Sequence, residues 1–374
     1  MDTLELIADS DIFGKTTENL GERTTFQPWH KPRKHWIRIH QWCSCVQELL
    51  AREEFSDISV LNYFGMPGED CLDIQTIGQS LSNGKKIKYF GIEKSEMTQY
   101  QSIVESKLHD APYISDDSKI YNKTQFEELD KEASKITNDI FLENPFHIIN
   151  IDLTASLFPP SKGTTMWNAL LRLLSYQFDM QPRTWLLFLT TRCDKASIDE
   201  CFINEKFSVF LNNYQNENFR HIINTEIKKI TNDDILEKEI LLGDDCYEKI
   251  ILLTIIKMIL KNAVAKNVHM CTESVISYRI EETSCNPEMH SIVLRFTKEK
   301  NVSDATVAPD EETKKRMDAK EVDIASRSGH KVASCKNVDD ILTEYPEIKS
   351  DMANKTKEML KNIGYDITQY IYDR

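Results

Sequence analysis

The strongest constraint on the fold is an alternation, along the first half of the chain, between short apolar runs and amphipathic stretches. Short runs rich in β-branched and aromatic residues predict buried strands, and helical spacing between such runs predicts crossover helices. Because strand–helix–strand units form right-handed crossovers, the alternation predicts a parallel sheet with helices on both faces. The predicted strands are residues 58–64, 87–92, 119–121, 146–151 and 184–190.

The pattern changes after the fifth strand. Between the fourth and fifth strands, residues 165–178 carry apolar side chains at helical spacing and predict a crossover helix. Residues 199–264 predict a helical insertion, whose role the sequence does not give. Residues 274–280 and 291–296 then predict an antiparallel hairpin. The predicted fold class is therefore α/β, with a doubly wound, mostly parallel sheet that ends in an antiparallel edge hairpin.

The domain organisation follows from composition along the chain. Residues 1–297 are predicted to form one Rossmann-like domain that begins with a basic, aromatic helix over residues 26–50. Residues 298–332 are rich in charged and small side chains with few large apolar ones, which predicts a flexible charged linker. Residues 333–374 recover apolar positions at helical spacing and predict a C-terminal helical appendage.

Composition limits the function classes. A formal net charge of -14 argues against a protein that coats nucleic acid with its whole surface. Nine cysteines, an odd number, are spread along 374 residues without a disulfide pattern, which predicts reduced thiols and a cytoplasmic location. The close pair Cys43 and Cys45 lacks a second Cys/His pair at zinc-site spacing, so no metal is predicted.

No membrane association is expected. The most apolar stretch, residues 250–260, is interrupted by Lys257 and is shorter than the roughly 20 residues that span a bilayer. It therefore predicts a buried core helix. The first 13 residues carry acidic side chains instead of the basic start of a signal peptide.

Candidate ligand-binding residues follow the predicted strands. The first strand leads into Asn62-Tyr63-Phe64-Gly65-Met66-Pro67-Gly68. Glycine after a buried strand lets the backbone turn sharply beneath a nucleotide-like ligand. The second strand ends at Glu93, where an acidic residue accepts the hydroxyls of an adenosine ribose. The alternatives are an ordinary strand-to-helix turn and a carboxylate near a helix N-terminus.

Two further candidates follow the fourth and fifth strands. Asp152 ends the fourth strand, and Arg192 lies just after the fifth. Ligands of open α/β sheets bind at the carboxyl ends of the strands, so Asp152 is a candidate catalytic residue and Arg192 a candidate for an anionic substrate. A helix N-cap for Asp152 and an exposed salt bridge for Arg192 are the alternatives.

The first loop resembles that of methyltransferase-like proteins related to the bacterial three-Cys-motif partner family, which reads roughly Asp-x-Phe-Ala-Gly-Pro-Gly. This chain keeps Phe64, Pro67 and Gly68, and the resemblance covers roughly residues 26–195. It implies a sheet of S-adenosylmethionine (SAM) methyltransferase type, SAM as cofactor, and methyl transfer to an acceptor near Asp152. It also implies a protein partner in a bacterial defence or DNA-processing system. The implied cofactor-binding residues are Asn62, Phe64, Gly65, Pro67, Gly68 and Glu93.

Two departures from that loop support a second hypothesis. Asn62 replaces the leading acidic residue, and Met66 stands at the central glycine, where its side chain would crowd the methionine part of the cofactor. The chain would then be a catalytically inactive Rossmann-like subunit that binds a partner protein or nucleic acid. The sequence also lacks the Asp/Asn-Pro-Pro-Tyr/Phe run and the Pro-Cys dipeptide of familiar DNA methyltransferases.

Residues 29–42 concentrate cationic and aromatic side chains against the acidic background. Cations interleaved with aromatic rings suit phosphate contacts and base stacking. The alternative, which we favour, is a helix with a buried stripe whose basic residues pair with the acidic body. The candidate nucleic-acid or substrate residues of this segment are Lys31, Arg33, Lys34, Trp36 and Arg38.

Overall fold

The computed structural model describes residues 23–371, apart from residues 83, 97, 132–133, 144, 161–164, 245, 281–283, 285 and 300–309. The predicted absence of a signal peptide falls on the first residues and lies outside the described part. The described chain divides into two compact units. The first unit contains the residues up to Gln125 together with those from Val338 onward, and the second contains Phe126–Asn337.

The strands of the described residues are β1 Val60–Gly65, β2 Lys86–Ile92, β3 Lys119–Tyr121, β4 Ile148–Asp152, β5 Trp185–Arg192, β6 Val268–Tyr278, β7 Met289–Lys298 and β8 Lys336–Asn337. The α-helices are α1 Pro32–Ile37, α2 Ser44–Leu50, α3 Leu72–Gln79, α4 Gln99–His109, α5 Lys135–Leu142, α6 Thr165–Met180, α7 Glu200–Tyr214, α8 Glu217–Ile222, α9 Lys238–Leu241, α10 Tyr247–Ala265, α11 Glu311–Ala333, α12 Val338–Glu344 and α13 Pro346–Asn362.

In the first unit the strands are parallel and ordered β3-β2-β1. The register pairs Gly65 of β1 with Gly91 of β2, so both strands end at the same edge. Leu61, Tyr63 and Phe64 are buried, as expected for a parallel strand covered on both faces.

The helices near both ends of the chain also belong to the first unit. Helix α1 packs against α12 and α13, and the buried Arg33 forms an ion pair with Asp339 at 3.1 Å. Met352 and Leu360 of α13 are buried. The predicted C-terminal appendage is therefore part of a compact unit, because its apolar stripe is covered within that unit.

In the second unit the strand order is β4-β5-β7-β6-β8. Strand β5 is parallel to β4 and antiparallel to β7, and β6 and β7 form the predicted antiparallel pair. The short β8 adds a parallel partner to β6 at Ile276 and Ser277, which the sequence did not predict. The predicted fold class is thus confirmed: the chain is α/β, its strands are mostly parallel with an antiparallel pair, and helices accompany them.

The residues predicted as an insertion, 199–264, are mainly helical and include α7 to α10. Helix α10 is buried along residues 250–260, as predicted, because a helix that is apolar on all sides must be covered on all sides. Among the described residues, no helix is both long and apolar enough to span a bilayer.

The prediction of a flexible linker over residues 298–332 is wrong for residues 311–332, which form most of α11. Asp310 caps this helix by accepting a hydrogen bond from the backbone nitrogen of Thr313 at 2.7 Å. Ile324, Ala325 and Val332 are buried and form a narrow apolar stripe, although most of the helix is charged. Residues 300–309 of the predicted linker lie outside the described part of the chain.

Candidate functional site

The loop after β1 rests on the end of β2. A Cβ atom at Gly91 would lie 3.0 Å from Pro67 Cγ and 2.9 Å from Ile120 Cγ1. Both separations are shorter than ordinary van der Waals contacts, so only glycine leaves room at this position. The close approach of Pro67 to Gly91 therefore fixes where the loop crosses the edge of the strands.

The same loop turns through two left-handed residues before α3. Gly68 has φ +62°, and a Cβ atom built there would meet nothing within 4 Å, so the backbone conformation rather than space favours glycine. Cys71, at the N-cap of α3, has φ +49°, which is uncommon for a residue with a side chain. Strained residues of this kind cluster at ligand sites and switch regions.

Glu93 follows β2 directly and lies at the same edge as this loop. Its backbone nitrogen donates to the carbonyl of Tyr121 at 3.0 Å, and its side chain accepts a hydrogen bond from the backbone nitrogen of Ser95 at 3.0 Å. The side chain is half-buried. An ionised carboxylate has about four acceptor positions, so Glu93 can also accept hydroxyl groups such as those of a ribose. The loop and Glu93 therefore fit the cofactor that the sequence suggested.

Other residues predicted to bind the cofactor differ in exposure. Phe64 is fully buried in β1. Asn62, opposite Lys88, and Met66, in the loop, are both half-buried. Gly65, Pro67, Gly68 and Glu93 are thus the predicted residues that the first unit brings together at one edge.

A buried carboxylate, Asp70, follows the loop and was missed by the sequence predictions. Its side chain is 5 % exposed and accepts hydrogen bonds from the hydroxyls of Tyr100 at 2.9 Å and Tyr365 at 3.1 Å. His30 Nε2 donates to it at 2.8 Å, since His30 Nδ1 accepts from the backbone of Gln27. The carboxylate therefore links residues that are far apart in the sequence.

The electrostatics of Asp70 follow from these partners. Burial raises the pKa of this carboxyl group, but the hydrogen bonds from His30 and Tyr100 and the charge of Arg23 outweigh burial. The pKa of Asp70 consequently lies below its ordinary value. Tyr100 and Tyr365, buried beside the same carboxylate, have pKa values above the ordinary value of tyrosine, with burial as the main cause.

Residues near both ends of the chain meet at this point, and we call Arg23, His30, Tyr365 and Tyr370 the terminal clamp. Arg23 forms ion pairs with Glu69 at 2.7 Å and Asp70 at 3.5 Å. The hydroxyl of Tyr370 donates to the carbonyl of His30 at 2.6 Å. The clamp therefore fastens the two terminal segments to the residues that follow the loop.

The structure buries most of the basic residues predicted to form a nucleic-acid surface. Arg33, Lys34 and Arg38 are between 2 % and 7 % exposed, and Lys34 Nζ lies 4.7 Å from the centre of the Trp42 ring. Lys31 and Trp36 are half-buried. Nucleic-acid binding by this segment remains a prediction, and it would have to use few of its cations.

The second unit contains the other two candidates. Asp152 is the last residue of β4, is half-buried, and pairs in register with Thr190 of β5. Arg192 ends β5, and its Nε donates to Asp194 at 2.8 Å. The local ion pair corresponds to the salt-bridge alternative for Arg192, while a role in substrate binding remains a prediction.

The carboxyl end of β5 is otherwise lined by neutral buried groups. Cys193 is fully buried, and burial raises the pKa of its thiol well above the ordinary value. His290, which pairs in register with Thr191, is 3 % exposed. Burial is the main reason that the pKa of His290 falls to about 4, and the charge of Lys249 adds to it. Within the described ranges, no group of three His, Cys, Asp or Glu side chains could hold a metal ion.

Comparisons with known proteins relate most of the chain to one family. The model of the PP_RS20740-like family matches residues 23–372. No curated protein matches the chain.

Solved structures with a similar backbone include three bacterial proteins. A candidate class I SAM-dependent methyltransferase from Listeria monocytogenes has 10 % identity and a TM-score of 0.34, over 78 % of this chain and 70 % of that one. A candidate hemolysin from Streptococcus thermophilus has 10 % identity and a TM-score of 0.33, over 78 % and 74 %. An O-methyltransferase from Bacillus cereus, solved with SAH, has 10 % identity and a TM-score of 0.31, over 74 % and 84 %.

Proposed function

This chain belongs to the PP_RS20740-like family, and we propose that it binds SAM and acts as a SAM-dependent methyltransferase on an acceptor yet to be identified. One observation carries the proposal. The loop after β1 crosses Gly91 through Pro67, turns at Gly68 with φ +62°, and lies at the same strand edge as the carboxylate of Glu93. A sharp glycine turn beside an acidic strand end is the arrangement that nucleotide-like ligands require.

The roles of the individual residues follow from this arrangement. Gly65 and Gly68 let the backbone approach the ligand closely, and Glu93 accepts the ribose hydroxyls. SAM, when bound, supplies a methyl group on a positively charged sulfur. Asp152, at the end of β4, is proposed on sequence grounds to face the methyl acceptor. Catalysis would then depend mainly on positioning, because no covalent intermediate with the protein is needed.

A second function, a binding subunit without methyl transfer, is favoured by the identity of one loop residue. Met66 is half-buried in the turn where the resembling family has glycine. A side chain at this position reduces the room for the methionine part of a cofactor. In this case the scaffold would bind a protein partner, or nucleic acid through residues 29–42, in a bacterial defence or DNA-processing system. A cytoplasmic location is part of both proposals.

Calorimetric titration with SAM and with S-adenosylhomocysteine separates these two functions. We expect micromolar binding by the wild-type chain and at least about a hundredfold loss in Glu93→Ala, because each hydrogen bond to a charged group contributes about 1.5–3 kcal/mol. Glu96→Ala is the matched control. Glu96 lies three residues after Glu93 in the sequence, its side chain is 78 % exposed, and it forms an ion pair with Lys123 at the surface.

Two results would contradict the methyltransferase proposal. Absence of binding at millimolar ligand would favour the binding subunit. Equal binding by wild type and Glu93→Ala would show that the ligand binds elsewhere. In either case the next experiment would be capture of partners by the wild-type chain.

A further inference from the structure

The side chains around Arg23 form a site with the chemistry of a guanidinium receptor. Arg23 Cζ lies 3.9 Å from the centre of the Tyr100 ring and 5.2 Å from that of Tyr365. Its Nη2 contacts Glu69 at 2.7 Å, and its Nη1 donates to the hydroxyl of Tyr365 at 3.1 Å. Two aromatic rings and two carboxylates around one planar cation combine cation–π attraction with charge-assisted hydrogen bonds. We call Glu69, Asp70, Tyr100 and Tyr365 the cation cage.

The cation cage has support that does not depend on Arg23. Asp70 accepts from Tyr100, Tyr365 and His30, and the two tyrosine rings stand at 90° to each other with centres 6.2 Å apart. These contacts fix both rings and one carboxylate. A cage that is held by its own hydrogen bonds keeps its shape when its cation is replaced, because little has to reorganise.

The backbone around Arg23 adds a second recognition element. Arg23 pairs with Tyr365 as an isolated parallel bridge. The backbone nitrogen of Asp366 donates to the carbonyl of Arg23 at 2.9 Å, and the backbone nitrogen of Arg23 donates to the carbonyl of Gly364 at 3.4 Å. Pairing of an extended segment through its main chain, with one side chain in a pocket, is a common way of binding peptides.

The position of Arg23 makes exchange with another ligand feasible. The side chains of Arg23 and Glu69 are 33 % and 32 % exposed, whereas the side chain of Asp70 is only 5 % exposed. The cage is therefore open to solvent on the side of Glu69 and closed on the side of Asp70. Burial lowers the pKa of Arg23, but the bond to Glu69 and the charges nearby outweigh burial and raise it, so the cage favours a cation.

From these observations we propose that the cation cage is a binding site for an arginine side chain in an extended peptide, and that Arg23 occupies it as an internal ligand. A partner protein would insert its arginine between Tyr100 and Tyr365 and pair its backbone with Gly364–Asp366. It would have to displace Arg23, so the internal ligand sets the affinity that a partner must exceed. This binding is independent of methyl transfer, and it takes place beside the residues that follow the candidate cofactor loop.

The test uses the full chain and the peptide Leu-Gly-Glu-Arg-Thr-Thr-Phe, which repeats residues 20–26, with a fluorescent label. We expect Arg23→Ala to bind this peptide at least tenfold more tightly than the wild-type chain does. A peptide with citrulline in place of arginine should bind at least tenfold more weakly, because citrulline keeps the shape and loses the charge. Adding Glu69→Gln to Arg23→Ala should reduce binding of the arginine peptide again.

Arg52→Ala is the matched control, because Arg52 pairs with Glu54 at 3.2 Å and is exposed to a similar degree, 38 %. It should leave peptide binding as in the wild type. The proposal is overturned if Arg23→Ala does not bind the peptide at millimolar concentration, or if it binds the arginine and citrulline peptides equally. Either outcome would mean that Arg23 only anchors the N-terminal segment.

A second measurement uses the unaltered protein, in case Arg23→Ala does not fold. Methylguanidinium at a low concentration, on the order of 0.1 M, where the linear loss of stability with denaturant is small, should compete with the Arg23 side chain. It should then accelerate hydrogen exchange at the backbone amide of Asp366, which donates to the carbonyl of Arg23. Tetramethylammonium at the same concentration should have a smaller effect, because it cannot donate hydrogen bonds to Glu69. Equal exchange with both cations would contradict the proposal. SAM titration of the same samples keeps this outcome separate from that of the cofactor proposal.

Discussion

The residues that follow β1 include a buried carboxylate, Asp70, which contacts four polar side chains. At the carboxyl end of β5, by contrast, burial favours the neutral forms of His290 and Cys193. In the first unit the pKa of Asp70 lies below its ordinary value, because the hydrogen bonds from His30 and Tyr100 and the charge of Arg23 outweigh burial. In the second unit His290 resists protonation because burial is not compensated by a partner charge of sufficient strength.

This difference indicates what each end is suited to do. A charged, hydrogen-bonded group can hold a loop in one conformation and recognise a cation. Neutral buried groups fill space and make folding sensitive to protonation. The polar network of β1 is therefore the better candidate for specific binding, and the end of β5 contributes mainly to the pH dependence of stability.

The largest expected effect on stability comes from a substitution that breaks the hydrogen-bond network around Asp70 in the first unit. Asp70→Ala leaves Arg23, His30 and two tyrosine hydroxyls without their common acceptor, and we expect the free energy of unfolding to fall by about 3–5 kcal/mol. Urea denaturation followed by circular dichroism measures this change. Asp116→Ala, at an exposed aspartate, is the control and should change stability by less than about 0.5 kcal/mol. A loss below about 1 kcal/mol in Asp70→Ala would mean that the network contributes little.

The next effect concerns the neutral group of the second unit. The pKa of His290 is about 4 in the folded chain and about 6.5 in an unfolded one. The unfolded state therefore binds the proton first as the pH falls, so stability is lost between about pH 6.5 and pH 4 and not regained below.

The variant His290→Leu tests this pH dependence. The wild-type chain should lose up to about 3 kcal/mol more than His290→Leu between pH 7 and pH 4, from a pKa difference of about 2.5 units. Lys249 adds to the repulsion of a protonated His290 and Asp194 opposes it. The measurement is urea denaturation at several pH values. Parallel profiles for the two proteins would contradict the assignment of His290 as a buried neutral group.

The smallest expected effects on stability come from two glycine substitutions in and beside the loop after β1. Gly91→Ala places a methyl group 2.9 Å from Ile120 and 3.0 Å from Pro67, so we expect a loss of about 2 kcal/mol together with weaker SAM binding. Gly68→Ala meets no atom within 4 Å and should cost only about 1 kcal/mol, through its left-handed backbone. Thermal unfolding with and without SAM measures both. Equal losses would mean that the contact between Pro67 and Gly91 does not position the loop.

Much of the fold was predictable because it depends on local patterns. Each of the strands β1 to β7 overlaps a predicted run, and β3 has the predicted bounds, Lys119–Tyr121. Strand β6 begins at Val268, six residues before the predicted start at residue 274. The carboxyl ends of β1 and β2 were also predictable, since the sheet edge follows once the strands are parallel. Helix α11 was missed because its buried residues, such as Ile324 and Val332, are few among charged neighbours.

The terminal clamp was not predictable from local patterns. Arg23 and Tyr365 are separated by 342 residues, and no periodicity connects them. Burial of Arg33 depends on Asp339, which is similarly remote in the sequence. The Glu69-Asp70 pair directly after a glycine loop was the only local signal, and it could not reveal its partners. Composition shows that cations are present, and only tertiary contacts show which of them are covered.

The clamp also affects how the protein is made. Ribosomes synthesise Asp70 and its loop long before Tyr365, so the nascent chain lacks one of the hydroxyl donors of that carboxylate until Tyr365 has been added. Truncated products that lack the last helix and the residues beyond it would therefore present the loop without its clamp. Because the loop depends on this later-synthesised segment, only chains that extend through Tyr365 have the complete cation cage.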